Sequence, residues 1–333
     1  MKLSDTLFLS IITVIVLSTL GGYKLITSHV SLEPYKEYFV KETKTTSVSQ
    51  IKATFLGTSS ILITDGETTL LTDGFITRPS IATLLLSKIQ PNKQRIDTVL
   101  DRLNIKKIDA VMTLHSHHDH ALDSAYVATK TQAILIGSNS TANIARGSGF
   151  QEENLKVITS KEEFSVGKFK ITILPSSHSK LPSFLEKIVG VNENIDKPLN
   201  LPSYFTGFKE GGTYSVYIEH PLGNIFINAS TGFIQNQLNE YDADVVFLGI
   251  AGLGKRKSDF QEKYFYEVVG KLNAKRVIPI HWDDFTQNIN EPTQAMNKLF
   301  DDFDGSMKFL IGETEKYNIQ LEMMYIFDEV VLY

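Results

Sequence analysis

From Ile51 onward apolar residues fall in short runs broken by turn formers: Ile51 to Leu56, then Gly57-Thr58-Ser59-Ser60, then Ile61 to Thr64, then Asp65-Gly66, then Thr68 to Thr72. Runs of this length and spacing predict a series of antiparallel hairpins. After them the period changes. A helix is predicted around Gln94 to Leu103, a buried strand at Ile108 to Leu114, a helix from Ala121 to Lys130, a strand at Ala133 to Ile136, and a short helix over Ser140 to Arg146 closed by Gly147 and Gly149. Strands follow near Leu155 to Thr159 and Phe169 to Leu174, with Gly167 at a turn between two of them. The pattern resumes with strands at Thr213 to Glu219, Asn224 to Asn228 and Val245 to Ile250. A helix over Phe260 to Leu272, a strand at Arg276 to Ile280, a helix from Pro292 to Phe303 and terminal strands after Lys316 complete it. Strands first, then strand alternating with helix, given twice over, predict an α/β fold of two sheets packed face to face with helices outside.

Two stretches break this pattern. Residues 180–212 carry no clean period and hold Pro182, Pro198, Pro202 and Gly207 among aromatics, which reads as a long irregular insertion of the kind that forms lids. At the other end, Leu7 to Tyr23 is a stretch of 17 residues without a charge, flanked by Lys2 and Lys24. That length is borderline for a membrane span, and Ser18-Thr19-Leu20-Gly21-Gly22 only partly matches a cleavage site. The reading is a hydrophobic helix at 1–27 serving as membrane anchor or signal segment, a polar linker at 28–50, and one catalytic domain at 51–333. The protein is accordingly expected to be membrane-anchored or exported.

Composition narrows the chemistry. The chain has 333 residues and a formal charge of −5, and its one compact basic run is Lys255-Arg256-Lys257, too short to track a phosphate backbone. Nucleic acid is not expected as a partner, and a small-molecule or lipid-like substrate is; nothing in the sequence sets an oligomeric state. There is no cysteine, which excludes disulfides, thiolate ligands and a thiol nucleophile. Any metal must be held by His, Asp or Glu.

Four of the eight histidines lie in His115-Ser116-His117-His118-Asp119-His120, directly after the apolar strand at 108–114 and before a helix. In an extended segment His115 and His117 point the same way and can share one metal. Asp119 and His120 sit where the chain turns into the helix and can face a neighbouring site, while His118 points elsewhere. A solvated histidine-rich loop is the plain alternative, but imidazoles with a carboxylate are a ligand set that Zn²⁺ prefers. His178 and His281 also follow apolar strands directly, as ligands at strand ends do.

This motif resembles the signature of the metallo-β-lactamase superfamily, and the likeness runs from about residue 51 to the C-terminus. Phe55-Leu56-Gly57-Thr58-Ser59-Ser60 and Leu70-Leu71-Thr72-Asp73 resemble its first hairpins, with Asp73 at the usual acidic position below the site. Ile173-Leu174-Pro175-Ser176-Ser177-His178 is similar to the segment that supplies a third histidine to the first metal, and Val277-Ile278-Pro279-Ile280-His281-Trp282 to the strand that ends in the last ligand. The resemblance implies a four-layer αββα sandwich of two mixed sheets. It also implies a first metal on His115, His117 and His178 and a second on Asp119, His120 and His281. Where most superfamily hydrolases carry a bridging aspartate this chain has Ser230, so the second zinc is expected to bind more weakly; iron or manganese is the other option. One β-lactamase subclass with a similar ligand set also lacks that bridge.

The pattern His281-Trp282-Asp283-Asp284-Phe285 and the insertion look closer to the branch containing lipid phosphodiesterases of the N-acyl phosphatidylethanolamine phospholipase D type and sugar-lactone hydrolases. Trp282 reads equally as a wall of the pocket or as core packing. Asp283 and Asp284 would orient a ligand histidine or cap the following turn. Phe184, Tyr204, Phe205 and Phe208 would form an apolar lid or pack the insertion down. The expected activity is hydrolysis of an ester, lactone, amide or phosphodiester bond by a metal-activated hydroxide, with Asp119 able to accept the proton. The alternatives are an iron-dependent oxidoreductase on the same scaffold and a non-catalytic, surface-anchored metal-binding protein.

Overall fold

Side chains of the first sheet sort by period two between two cores. Ile61 and Ile63 face the second sheet while Leu62, between them, faces helices; Ala110 and Met112 flank Val111 in the same way. A computed structural model describes residues 28–41 and 50–333, so the apolar segment at 1–27 and the rest of the predicted linker lie outside the described residues.

The first sheet has seven strands in the order β14-β1-β2-β3-β4-β5-β6. These are β1 (Lys52–Phe55), β2 (Ile61–Thr64), β3 (Thr69–Thr72), β4 (Ala110–Met112), β5 (Ile134–Gly137), β6 (Leu155–Val157) and β14 (Glu329–Val331). The hairpin strands pair antiparallel, and β3 to β6 run parallel. The second sheet, β13-β12-β11-β10-β9-β8-β7, repeats that mixture. It comprises β7 (Glu162–Val166), β8 (Phe169–Ser176), β9 (Thr213–His220), β10 (Gly223–Asn228), β11 (Val245–Gly249), β12 (Arg276–Ile280) and β13 (Gln320–Leu321). Its first four strands are antiparallel neighbours, and β10 to β13 are parallel.

Helices cover the outer faces. Ile96, Val99 and Leu100 of α2 (Lys93–Arg102) and Val127 and Ala128 of α4 (Ser124–Thr131) close the first sheet against Leu62, Leu71, Val111 and Leu135. Tyr264, Phe265 and Val268 of α7 (Ser258–Val268) and Phe303, Met307 and Leu310 of α8 (Phe303–Tyr317) close the second. Between the sheets Phe55, Met112, Ile171, Val216 and Ile227 are buried. Two layers of sheet between two layers of helix is the expected architecture. Among the described residues the remaining α-helices are α1 (Ile81–Leu86), α3 (His118–Ala121), α5 (Asn139–Gly147) and α6 (Ser183–Val189).

Two expectations are corrected, and one helix joins those expected. No helix spans 292–303: that segment runs as turns with an isolated bridge between Asp283 and Ala295, and the helix is α8 instead. The Asp302 side chain accepts from Gly305 N–H and caps α8, and its buried Phe303, Met307, Leu310 and Thr314 fall at helical spacing. Gly305 and Gly312 break that pattern in the sequence but leave the packed face intact. Second, residues 28–41 are not a linker. Val30, Tyr35 and Phe39 are core residues, Phe39 stacks on Tyr325 at 3.8 Å, and its neighbour Val40 bonds Met323. The added helix is α1, which Ser80 caps by accepting from Thr83 N–H.

Candidate metal centre

The two sheets bring their strand ends to one place. Beyond β4 the chain runs through Leu114, whose N–H is accepted by Asp73 Oδ1 at 2.7 Å, into His115-Ser116-His117. His117 is the extended residue before α3, and its carbonyl accepts from Ala121 N–H at 2.8 Å, which turns Asp119 and His120 inward on the first helical turn. His178 follows the end of β8, and His281 directly follows β12.

His115, His117 and His178 offer donor atoms within 4.8 Å of one another, as do Asp119, His120 and His281. Ring centroids lie 5.1 Å apart for His115 and His117, 4.8 Å for His117 and His178, and 5.2 Å for His115 and His178. In the second group Asp119 Oδ2 is 3.5 Å from His120 Nε2 and 3.4 Å from His281 Nε2. The groups are adjacent, with the rings of His115 and His120 3.6 Å apart.

Several of the rings are oriented through a nitrogen turned to the protein. His120 Nδ1 lies 2.8 Å from Asp73 Oδ2 and 3.0 Å from Ser59 Oγ. His178 Nδ1 donates to Ser179 O at 2.8 Å, and His117 Nε2 to Val189 O at 3.1 Å. Each of these bonds leaves the opposite ring nitrogen for a metal, an arrangement typical of ligand histidines. His115 Nδ1 is buried with no hydrogen-bond partner.

Burial keeps the first group neutral. It pushes His115 well below the ordinary imidazole value and His117 down to about 3, helped by neighbouring imidazoles, and it lowers His178. Burial would also lower His120, but the carboxylates of Asp73 and Asp119 outweigh it and raise its pKa. Asp119 is the reverse case: burial would raise it, but His120, His281 and His118 hold it well below the usual carboxylate range. Three imidazoles kept neutral in the first group and one firmly ionised carboxylate in the second, crowded in a buried space, are a donor set that fits a divalent ion.

The other expected residues have structural tasks. Ser230 Oγ accepts Ser179 N–H at 3.0 Å and so fixes the loop that carries His178; Asp119 is the only carboxylate in either group. Trp282 is fully buried, edge-on to Phe39 and near Phe303, and belongs to the core rather than to a pocket wall. Asp284 accepts from Thr286 N–H and Oγ1 at 2.9 and 2.7 Å, capping its own turn, with His29 at 3.7 Å. His118 joins neither group and packs edge-on against Phe75, Phe205 and Phe285.

Sequence reasoning missed a brace beneath His281. Asp283 accepts Thr58 N–H at 2.7 Å and is ion-paired with Arg78, both side chains being about 1% exposed. Thr58 O in turn accepts His281 N–H at 2.6 Å. Thr58, Asp73 and His281 all take left-handed backbone conformations, at φ of 54°, 53° and 57°. Non-glycine residues held there mark a site whose backbone is fixed by its surroundings. No signal in the sequence links Arg78 to Asp283, 205 positions away.

The insertion reaches the centre at two points, the Val189 carbonyl on His117 and the Glu210 carbonyl on Ser116 N–H at 2.8 Å. Phe208 is buried with Phe75, Leu122 and Ile195 and pins the segment, while Phe184 and Tyr204 are exposed. A cavity of about 1180 Å³ lies between Arg78, Lys88, Arg95, Tyr126 and Phe150, and no residue of either group lines it.

A family model described as the beta-lactamase superfamily domain matches residues 69–282. A UPF0173 metal-dependent hydrolase of Listeria monocytogenes is 24% identical over 273 residues, 79% of this chain and 99% of that protein. One from Anoxybacillus flavithermus is 25% identical over 252 residues, 75% of this chain and 93% of that one. A relative of the same description from Christiangramia forsetii is matched over 38% of its length. Among solved structures, Igni18, a metallo hydrolase from the archaeon Ignicoccus hospitalis, superimposes with a TM-score of 0.55 at 16% identity, over 86% of this chain and 99% of that one. The β-hydroxylase CmlA, in an E377D mutant, does so with a TM-score of 0.52 at 13% identity, over 87% of this chain and 55% of that one. At these identities the solved structures speak for the fold.

Proposed function

We propose that this chain, which belongs to the beta-lactamase superfamily, is a metal-dependent hydrolase acting on an ester, lactone, amide or phosphodiester bond. The observation that carries this reading is the meeting of His115, His117 and His178 with Asp119, His120 and His281 at the strand ends of both sheets. Relatives described as metal-dependent hydrolases support it. Zinc is the ion proposed, with the three histidines holding the first and Asp119, His120 and His281 holding a second more weakly, because no carboxylate joins the groups. Such ions, when bound, lower the pKa of water towards neutrality and polarise the bond to be cut.

The chain's own residues do the rest. Asp119, ionised, faces both groups and is placed to accept the proton of the attacking water. Asp73 holds His120 in one tautomer through Nδ1. The insertion, anchored by Phe208 and touching His117 through Val189, excludes bulk water on one side. Exposed Phe184 and Tyr204 on that segment suit a lipophilic substrate.

The test is turnover by the full chain, loaded with zinc, of lipid phosphodiesters, sugar lactones and β-lactams. Hydrolysis of one class, lost in folded His117→Ala and His281→Ala, is the expected result. Activity that survives both substitutions contradicts the proposal. A second reading is an iron-dependent oxidoreductase, since iron also accepts imidazole and carboxylate donors such as these six. It predicts iron in the purified chain and a product that requires dioxygen.

A further inference from the structure

Two features of the sequence are not used by the metal centre: the uncharged stretch Leu7 to Tyr23 and the basic run Lys255-Arg256-Lys257. The basic run lies on the surface where the described chain begins, five residues after Tyr23. Shortly after Tyr23 the described chain begins at Ser28, whose carbonyl accepts the Lys298 N–H at 3.3 Å, and His29 Nδ1 lies 2.9 Å from Ala295 O. The described chain therefore begins beside the turn Lys298-Leu299-Phe300. That turn exposes two large apolar side chains, Leu299 at 54% and Phe300 at 51%. Lys255 Nζ donates to Leu299 O at 2.9 Å, which sets the basic run against the same turn.

Lys255, Arg256, Lys257 and Lys298 have Asp259, Asp302 and Asp304 as neighbours along the chain, of which Asp302 caps α8 and Asp304 accepts the Tyr35 hydroxyl. Asp301 is buried and accepts Gly252 N–H. Exposed apolar side chains with Lys255 and Lys298 beside them, at the point where the described chain begins just after an uncharged stretch of 17 residues, match what an anionic bilayer surface binds.

We propose that Lys298, Leu299 and Phe300 with Lys255, Arg256 and Lys257 form a membrane-docking face that seats the domain on the headgroups of an anionic bilayer. Leu299 and Phe300 enter the headgroup layer, and the cations contact lipid phosphates. The face borders the metal centre: Arg256 donates to the carbonyl of Lys180, which lies two residues beyond His178. Docking this way would hold the centre beside the bilayer. The inference does not depend on which bond the centre cuts.

The absence of cysteine allows a direct test. The full chain carrying Phe300→Cys, labelled with an environment-sensitive fluorophore, is reconstituted in phosphatidylcholine vesicles with and without phosphatidylglycerol. A control carries the label at Glu153→Cys, exposed beside β6 at the far edge of the first sheet. The expected result is a blue-shifted label at 300 quenched by doxyl-labelled lipid, most strongly in anionic vesicles, with no effect at 153. Adding Lys255→Glu and Lys257→Glu reduces that quenching severalfold. Equal exposure at both positions in either vesicle overturns the proposal. So does a label at 300 that is shielded equally in detergent, since its cover is then the chain itself or a second copy.

Discussion

Oδ2 of Asp73 lies 2.8 Å from Nδ1 of His120, and the other oxygen of the same carboxylate accepts the Leu114 N–H at 2.7 Å. One buried side chain thus aligns a ring of the second group and fixes the strand end that launches His115 and His117. Asp73→Asn keeps the shape but loses the carboxylate. The expected outcome is a folded protein whose affinity for metal at the Asp119, His120 and His281 group falls by about 10–100-fold, read by competition with a chromophoric chelator. Unchanged affinity would remove Asp73 from the centre.

The brace beneath His281 makes a stability prediction. Asp283→Ala leaves Arg78 buried and unpaired and frees Thr58 N–H. Breaking a buried pair by removing one partner costs about 3–5 kcal/mol, so denaturant unfolding should show a loss of that size. Replacing both partners, Arg78→Met with Asp283→Leu, should restore part of it. If Asp283→Ala unfolds like the parent, the pair is not a structural brace.

Asp123 supplies a pH dependence away from the ligands. Its carboxylate accepts from the N–H of Ile76 and Thr77 and from the Thr77 hydroxyl, yet burial raises its pKa from 3.8 to about 6. The folded state therefore keeps a proton that the unfolded chain has lost between those values. The stability this contributes is fully present below 3.8 and is lost as pH rises through about 6, a change on the order of 3 kcal/mol. Unfolding of the parent and of Asp123→Asn, compared at pH 4 and pH 7, should show the parent losing ground at the higher pH. A constant difference between the two would contradict this.

Much of the centre was legible because ligands near in sequence come from one strand end. His-x-His-x-Asp-His places its donors by backbone geometry alone, and the apolar strands before His178 and His281 point to strand ends. What the sequence hid depends on distance along the chain or on tertiary burial. Arg78 meets Asp283 across 205 positions. Trp282 lies in the core because Phe39, in a segment with the composition of a linker, packs onto it. α8 went unread because Gly305 and Gly312 lower local helix propensity while packing of Phe303, Met307 and Leu310 decides the outcome.

The measurement that bears most directly on the centre is metal content of the purified full chain, set beside His178→Ala and His281→Ala. The account predicts two zinc ions per chain with one lost in each variant, the ion left in His178→Ala being the more easily removed by chelator. Absence of metal from all three proteins after zinc loading, with the fold intact, would contradict it.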